Sequence, residues 1–222
     1  MRQLKVLELC SGGKSFTKAC EKHGMICTTV DISPKNDPTI CADVRTLTFT
    51  KGEFDIIWAS PPCQNFSNAK TRGKPRDLEL ADSLVLACLR IISEVQPMCF
   101  IIENPMGLLR KRPYMSEIAY ATVDYCMYGA PYRKRTDLFM SANMRAGLKP
   151  LLCNKLCGQF NEHTNRHLQL CQQGKNQFYA RSTPSLAARH SVPELLCSAL
   201  AIIAAWSIFS VEEASDGGID QS

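Results

Sequence analysis

Residues 5–31 read KVLELCSGGKSFTKACEKHGMICTTVD. Lys5 to Leu9 is a short apolar strand that runs into the glycine turn Cys10-Ser11-Gly12-Gly13-Lys14-Ser15. A helical stretch from Phe16 to about His23 follows, and Ile26 to Asp31 is a second strand, β-branched and closing on a carboxylate. A strand, a glycine-rich turn, a helix and an acid at the end of the next strand are the parts that hold a nucleotide-like cofactor. Glycine lets the backbone approach the ligand, and Asp31 can accept two hydrogen bonds from ribose hydroxyls. The spacing is not that of a dinucleotide fingerprint. Gly13-Lys14-Ser15 looks like the end of a phosphate loop, but that loop needs glycine where Glu8 stands, which excludes a P-loop ATPase. The turn alone is explained equally well as a tight strand-to-helix connection with a surface acid.

The same alternation continues along the chain. A third strand around Thr39 to Ala42 ends at Asp43, and a fourth, Phe54 to Ser60, runs into Pro61-Pro62-Cys63-Gln64. Leu78 to Val95 carries Leu80, Leu84, Leu86 or Ala87, Ile91 and Val95 at helical spacing and predicts a long helix. Met98 to Ile102 is a fifth strand that leads into Glu103-Asn104-Pro105, and two β-rich runs, Ala121 to Tyr128 and Thr136 to Ser141, flank a basic turn. Strands alternating with helices predict an α/β fold with a doubly wound, mostly parallel sheet. Ligands collect outside the carboxyl ends of such strands, where all five of these strands carry polar or special residues. Packing alone does not place them so.

The 222 residues have 45% hydrophobic and 21% charged side chains, which fits one globular domain and excludes wholesale disorder and collagen-like repeats. The 12 cysteines are read as reduced thiols of a cytosolic or nuclear protein, because Met1-Arg2-Gln3-Leu4-Lys5 carries no signal-peptide core and the chain is long enough to bury a core without disulfides. The longest apolar stretch, Leu195 to Phe209, is shorter than a membrane span, contains Ser198 and Ser207, and is expected to be a buried helix. Removing Glu212, Glu213, Asp216 and Asp220 from a formal net charge of +5 leaves +9 on the body, which suits a polyanionic partner.

Cys63 follows two prolines directly beyond an apolar strand, so it sits on a stiff exposed loop. Lys70, Arg72, Lys74 and Arg76 follow at alternate positions and could lower its pKa, making the thiolate a nucleophile. Glu103 closes the most hydrophobic strand, where partial desolvation favours the protonated form and suits a general acid. Each has a bland alternative: a structural cysteine, a helix cap or a surface turn.

Pro61-Pro62-Cys63-Gln64, then Glu103-Asn104, then Tyr128-Gly129-Ala130-Pro131, in this order on this fold, resembles the DNA cytosine-C5 methyltransferases. The resemblance runs from Val6 to about Ala204 and is closest to the short enzymes of large DNA viruses and phages, of the iridovirus type. It implies an enzyme that binds S-adenosyl-L-methionine through Glu8, Cys10, Ser11, Gly12, Gly13, Asp31, Ile32, Asp43, Val44, Pro61, Ser191 and Val192. In that scheme Asp31 takes the ribose and Asp43 the adenine amino group. Cys63 would add to C6 of cytosine, Glu103 would hydrogen-bond N3 and the exocyclic amine of a flipped base, and Arg133 or Arg135 would assist. Gln64, Ser67, Lys70, Arg72, Lys74, Arg76, Arg110, Lys111, Arg112 and Lys134 would line double-stranded DNA. A monomer acting inside a virus-infected host cell, in nucleus or cytoplasm, is the expectation.

The chain departs from the family at several points. Lys14 replaces a glycine, Cys10 an aromatic, Pro105 a valine and His190 an asparagine, and Tyr132-Arg133-Lys134-Arg135 stands where the family has glutamine-arginine-arginine. The expected organisation is a catalytic core over 1–142, a reduced target-recognition region over 143–186, a C-terminal helix over 187–210 and an acidic, disordered tail over 211–222. The reduced region implies a short target, such as CG. Within it Cys153, Cys157, His163, His167 and Cys171 could form a tetrahedral zinc site, but their spacing matches no standard finger, and no metal is assigned. Two other functions stay open: a tRNA cytosine-C5 methyltransferase and a catalytically silent nucleic-acid-binding homologue.

Overall fold

Side chains alternate across a strand, and here both faces are apolar. In β1 (Lys5–Leu9) Val6 points into one core layer and Leu7 and Leu9 into the other; in β4 (Ile56–Ala59) Ile56 and Trp58 oppose Ile57 and Ala59. A computed structural model describes residues 2–68, 75–169, 171 and 185–216 of the chain. With β2 (Ile26–Asp31), β3 (Ile40–Cys41), β5 (Cys99–Pro105), β6 (Tyr120–Asp124) and β7 (Arg135–Met140) these strands form one seven-stranded sheet in the order β3-β2-β1-β4-β5-β7-β6. The pairs β3-β2, β2-β1, β1-β4 and β4-β5 are parallel, while β7 runs antiparallel to both β5 and β6. The mostly parallel, doubly wound expectation holds, and the strand order reverses at β1, where a crevice opens between the ends of β1 and β4.

One face is covered by α1 (Ser15–Lys22), α3 (Ala142–Gly147) and α5 (Glu194–Asp216), the other by α2 (Leu78–Val95). Phe16 of α1 stacks on Trp58 with ring centroids 4.6 Å apart, both fully buried. The α2 boundaries match the sequence reading because both ends carry local signals. Asp77 accepts a hydrogen bond from the Leu80 amide at 2.9 Å, and Gln96 ends the helix in a left-handed conformation. Its buried face is Ala81, Val85, Ala87, Cys88, Ile91 and Val95; of the expected pair Leu86 or Ala87 it is Ala87 that is buried, and Leu80, expected in that face, is exposed.

The C-terminal helix also differs from expectation. It runs on to Asp216, so residues 211–216 extend it instead of opening a tail, and by length and composition it is long and apolar enough to cross a membrane. Leu196, Cys197, Leu200, Ala201, Ala204 and Ile208 nevertheless pack into the core against α1 and α3, while Leu195, Ile202, Trp206 and Val211 are exposed. Between α3 and a short α4 (Leu186–His190), β8 (Phe160–Asn161) and β9 (Arg166–His167) form a small antiparallel hairpin that sequence reasoning did not find.

Candidate active site

The crevice is built from three loops. The first follows β1. Cys10 and Gly12 take left-handed backbone conformations, the Ser11 amide donates to Val30 at 3.0 Å, and the Gly12 amide donates to Asp31 Oδ2 at 2.8 Å. Asp31 Oδ1 also accepts from the Ser33 amide at 2.8 Å and from Asn36 Nδ2 at 3.0 Å, so this carboxylate shapes the turn. Glu8 lies beneath it, nearly fully buried, and its Oε2 accepts from the Thr17 amide at 2.8 Å; burial pushes its carboxyl up.

The second loop follows β4 and carries Cys63. The Cys63 carbonyl accepts from the Phe66 and Ser67 amides at 3.0 and 2.8 Å, forming a tight turn anchored by the fully buried Phe66 ring. Asn104 Nδ2 donates to the Pro61 carbonyl at 3.0 Å, and Arg76 donates to the carbonyls of Asn65 and Ser67 at 2.6 and 2.9 Å. Arg76 therefore clamps the Cys63 loop; it was expected at a DNA surface. Gly107 completes the loop, because a Cβ there would lie 2.3 Å from the Phe66 carbonyl oxygen. Sequence reasoning passed over this glycine; only the chain crossing reveals it.

The third loop joins the 3-10 turn Tyr125–Tyr128 to β7. Glu103 is 6% exposed, and its Oε1 accepts from the Tyr125 hydroxyl at 2.8 Å. Lys134 Nζ lies 3.7 Å from the same oxygen and 4.8 Å above the Tyr125 ring. Neither Arg133 nor Arg135 takes this place. Both pair with the fully buried Asp124, at 3.2 and 3.0 Å, which corrects their expected role beside Glu103. Burial pushes the Asp124 carboxyl up, but hydrogen bonds from Arg135, the Cys153 amide and Arg133 outweigh it and hold the group below the usual carboxylate range.

Cys10, Ser11, Gly12 and Gly13, Pro61, Cys63 and Gln64, Glu103, Lys134 and Val192 all line one cleft. Ser191 lies against Gly13, and the Val192 amide donates to Ser15 Oγ at 3.2 Å. Burial, then the charge of Glu103, push the Cys63 thiol up, and Lys134 opposes them. The expected depression of this thiol by the cluster at 70–76 is thus replaced by a raised value. Lys70, Arg72 and Lys74 lie outside the described residues.

Other expected residues lie beside the cleft or elsewhere. Ile32 is exposed next to Asp31, Asp43 is tied to Arg45 at 2.6 Å, and Val44 is buried in the core. The bonds from Arg45 hold the Asp43 carboxyl below its ordinary range. Arg110 pairs with Asp137 and Arg112 with Asp82, so two of the three basic residues of the 110–112 cluster, all expected at DNA, are committed to ion pairs within the chain. Lys111, between them, is exposed.

The family model of C-5 cytosine-specific DNA methylase matches residues 4–132. The chain belongs to this family. A Frog virus 3 (isolate Goorha) protein named "Probable DNA (cytosine-5)-methyltransferase" is 36% identical over 167 residues, 68% of this chain and 75% of that protein. The type II methyltransferase M.AgeI of Thalassovita gelatinovora is 30% identical over 132 residues, 53% of this chain but only 29% of its own length. Among solved structures, the Entamoeba histolytica methyltransferase EhMeth superposes with a TM-score of 0.57 over 94% of this chain and 99% of its own, at 12% identity, a likeness of fold.

Two outcomes follow from the geometry. A raised thiol leaves little thiolate at neutral pH, so turnover should climb as pH rises towards it. Lys134→Met removes the opposing positive charge and should move the limb to higher pH, with roughly tenfold slower turnover at pH 7; an unmoved pH–rate profile would contradict the placement. Gly107→Ala should displace the Cys63 loop and slow turnover by about 10²-fold with KM less affected. Wild-type rates in that variant would show that the loop tolerates the extra carbon.

Proposed function

We propose that the chain transfers a methyl group from S-adenosylmethionine to C5 of cytosine in DNA, with Cys63 as the nucleophile. The observation that carries this reading is the meeting of Cys63, Glu103 and the glycine turn in one cleft. A soft nucleophile and a carboxyl group can there address one planar base from two directions, while the turn holds a cofactor beside them.

The turn fits that cofactor. Ser11 Oγ is buried with no hydrogen-bond partner among the described residues, on a wall where a ligand would supply one. The Asp31 carboxylate and the exposed face of Ile32, at the end of β2, offer a polar and an apolar surface for a nucleoside. S-adenosylmethionine supplies an electrophilic methyl group.

The chain's own residues account for the remaining steps. Cys63 gives up its proton to solvent, and its sulfur adds to C6, forming a C–S bond while the C5–C6 π pair moves to C5. Glu103, oriented by the Tyr125 hydroxyl, accepts from the exocyclic amine and, carrying a proton taken from solvent, donates it to N3, so that the negative charge developing in the ring is met there. Lys134 balances the Glu103 carboxylate and favours the Cys63 thiolate. After C5 is methylated, solvent takes the C5 proton, and the freed pair re-forms the C5–C6 double bond and expels the Cys63 sulfur as a thiolate, which restores the aromatic ring. A base must leave the duplex to enter this cleft. The exposed Lys111 supplies positive charge for the backbone.

Label from methyl-tritiated S-adenosylmethionine should enter duplex DNA, and Cys63→Ser should reduce incorporation by at least about 10³-fold while duplex affinity stays within roughly threefold. A tRNA pool assayed in parallel separates the substrates: label in tRNA alone would overturn DNA as the substrate, and turnover retained by the variant would overturn the nucleophile.

A further inference from the structure

Cys126, Cys153, Cys157 and His167 converge behind the Glu103 wall of the site. Each offers one ligand atom, and the four atoms lie within 4.8 Å of one another. The sulfurs of Cys153 and Cys157 are 3.4 and 3.6 Å from His167 Nε2. Zinc bonds of about 2.3 Å to sulfur and 2.0–2.1 Å to nitrogen, at tetrahedral angles, place sulfur roughly 3.6 Å from nitrogen. The observed separations are edges of that tetrahedron. All four residues are free of disulfides.

The local chain is shaped for the same purpose. Lys155 and Gly158 take left-handed conformations that fold 153–158 back on itself, and the Lys155 amide donates to Cys153 Sγ at 3.3 Å. Phe160, paired with His167 across the β8-β9 hairpin, sets its ring edge-on to the imidazole at 5.4 Å. Arg133, Lys155 and Arg166 surround the adjoining cleft and would balance the excess negative charge of three thiolates on a dication.

We propose that these four side chains bind one structural Zn2+ ion, which ties the small hairpin to the catalytic core. Three thiolates and an imidazole in a tetrahedron select zinc over hard cations, and four protein ligands leave no open position for chemistry. The sequence reading had Cys153, Cys157 and His167 but missed Cys126, which lies in another part of the chain; His163 and Cys171 are not in the cluster. The ion would hold the Tyr125–Tyr128 turn, whose first residue orients Glu103, and the Cys153 segment, whose amide donates to Asp124 at 2.9 Å. The inference stands on these contacts and not on the methyl-transfer reading.

Metal content of the tag-free full chain tests it. Mass spectrometry of the metal should find about one zinc per chain, falling below about a tenth in Cys157→Ser and His167→Ala but unchanged in His163→Ala and Cys171→Ser. Replacement by Co2+ in the unmutated protein should give thiolate-to-cobalt charge-transfer absorption and the intense visible bands of a tetrahedral site, a readout that does not depend on any variant folding. An unmutated chain that holds neither zinc nor tetrahedral cobalt would overturn the proposal. So would zinc that survives Cys157→Ser, or a disulfide between two of the three cysteines in the unreduced protein.

Discussion

A carboxylate at the mouth of a buried strand has to be held by something other than water, and the arrangement around Glu103 answers that need. Its side chain is almost wholly removed from solvent, so it is stable only with partners supplied by the fold. The Tyr125 hydroxyl and the Lys134 ammonium meet the same oxygen, Oε1. This disposition commits the fully buried Tyr125, the approach to β7 and the antiparallel edge of the sheet. It also sets the electrostatics of Cys63, whose thiol is raised by burial and by Glu103 and opposed by Lys134. The Cys63 thiol and the Glu103 carboxylate are therefore one electrostatic unit.

A second buried acid, Asp124, lies on the other side of the same turn. It gathers Arg133, Arg135 and the Cys153 amide, and through the last of these it joins the core to the β8-β9 hairpin region. Tyr125 and Cys126 are neighbours in sequence and face different partners, Glu103 for the one and the Cys/His cluster for the other. The short turn 125–128 therefore touches both the carboxylate and the Cys/His cluster.

The parts of this structure that were legible in the sequence are those with local causes. The strands β1, β2 and β4 announced themselves by short apolar runs closing on turns or acids, and α2 by its periodicity. Cys63, Glu103 and the glycine turn were legible because strand ends in a parallel sheet converge. The rest depended on which way a side chain points. Residues two apart in extended chain share a face, so Arg133 and Arg135 go together to Asp124 and Lys134 goes alone to Glu103. That alternation was available in the sequence and was the signal that would have assigned them. Arg110, Arg112 and Arg76 were expected to line DNA, but their acceptors, Asp137, Asp82 and two loop carbonyls, come from segments apart in the sequence. Cys126 and Gly107 were hidden for the same reason: each matters only through a crossing that folding creates.

The central claim is that Cys63 and Glu103 act together on one cytosine. It is tested most directly with a duplex carrying 5-fluorocytosine at the target position, incubated with the protein and S-adenosylmethionine. Fluorine at C5 cannot leave as a proton does, so the sulfur cannot be expelled and the adduct persists. The account predicts a protein–DNA complex that survives denaturation, with the nucleoside found on the peptide containing Cys63. No denaturation-resistant complex, or an adduct on another of the 12 cysteines, would contradict it.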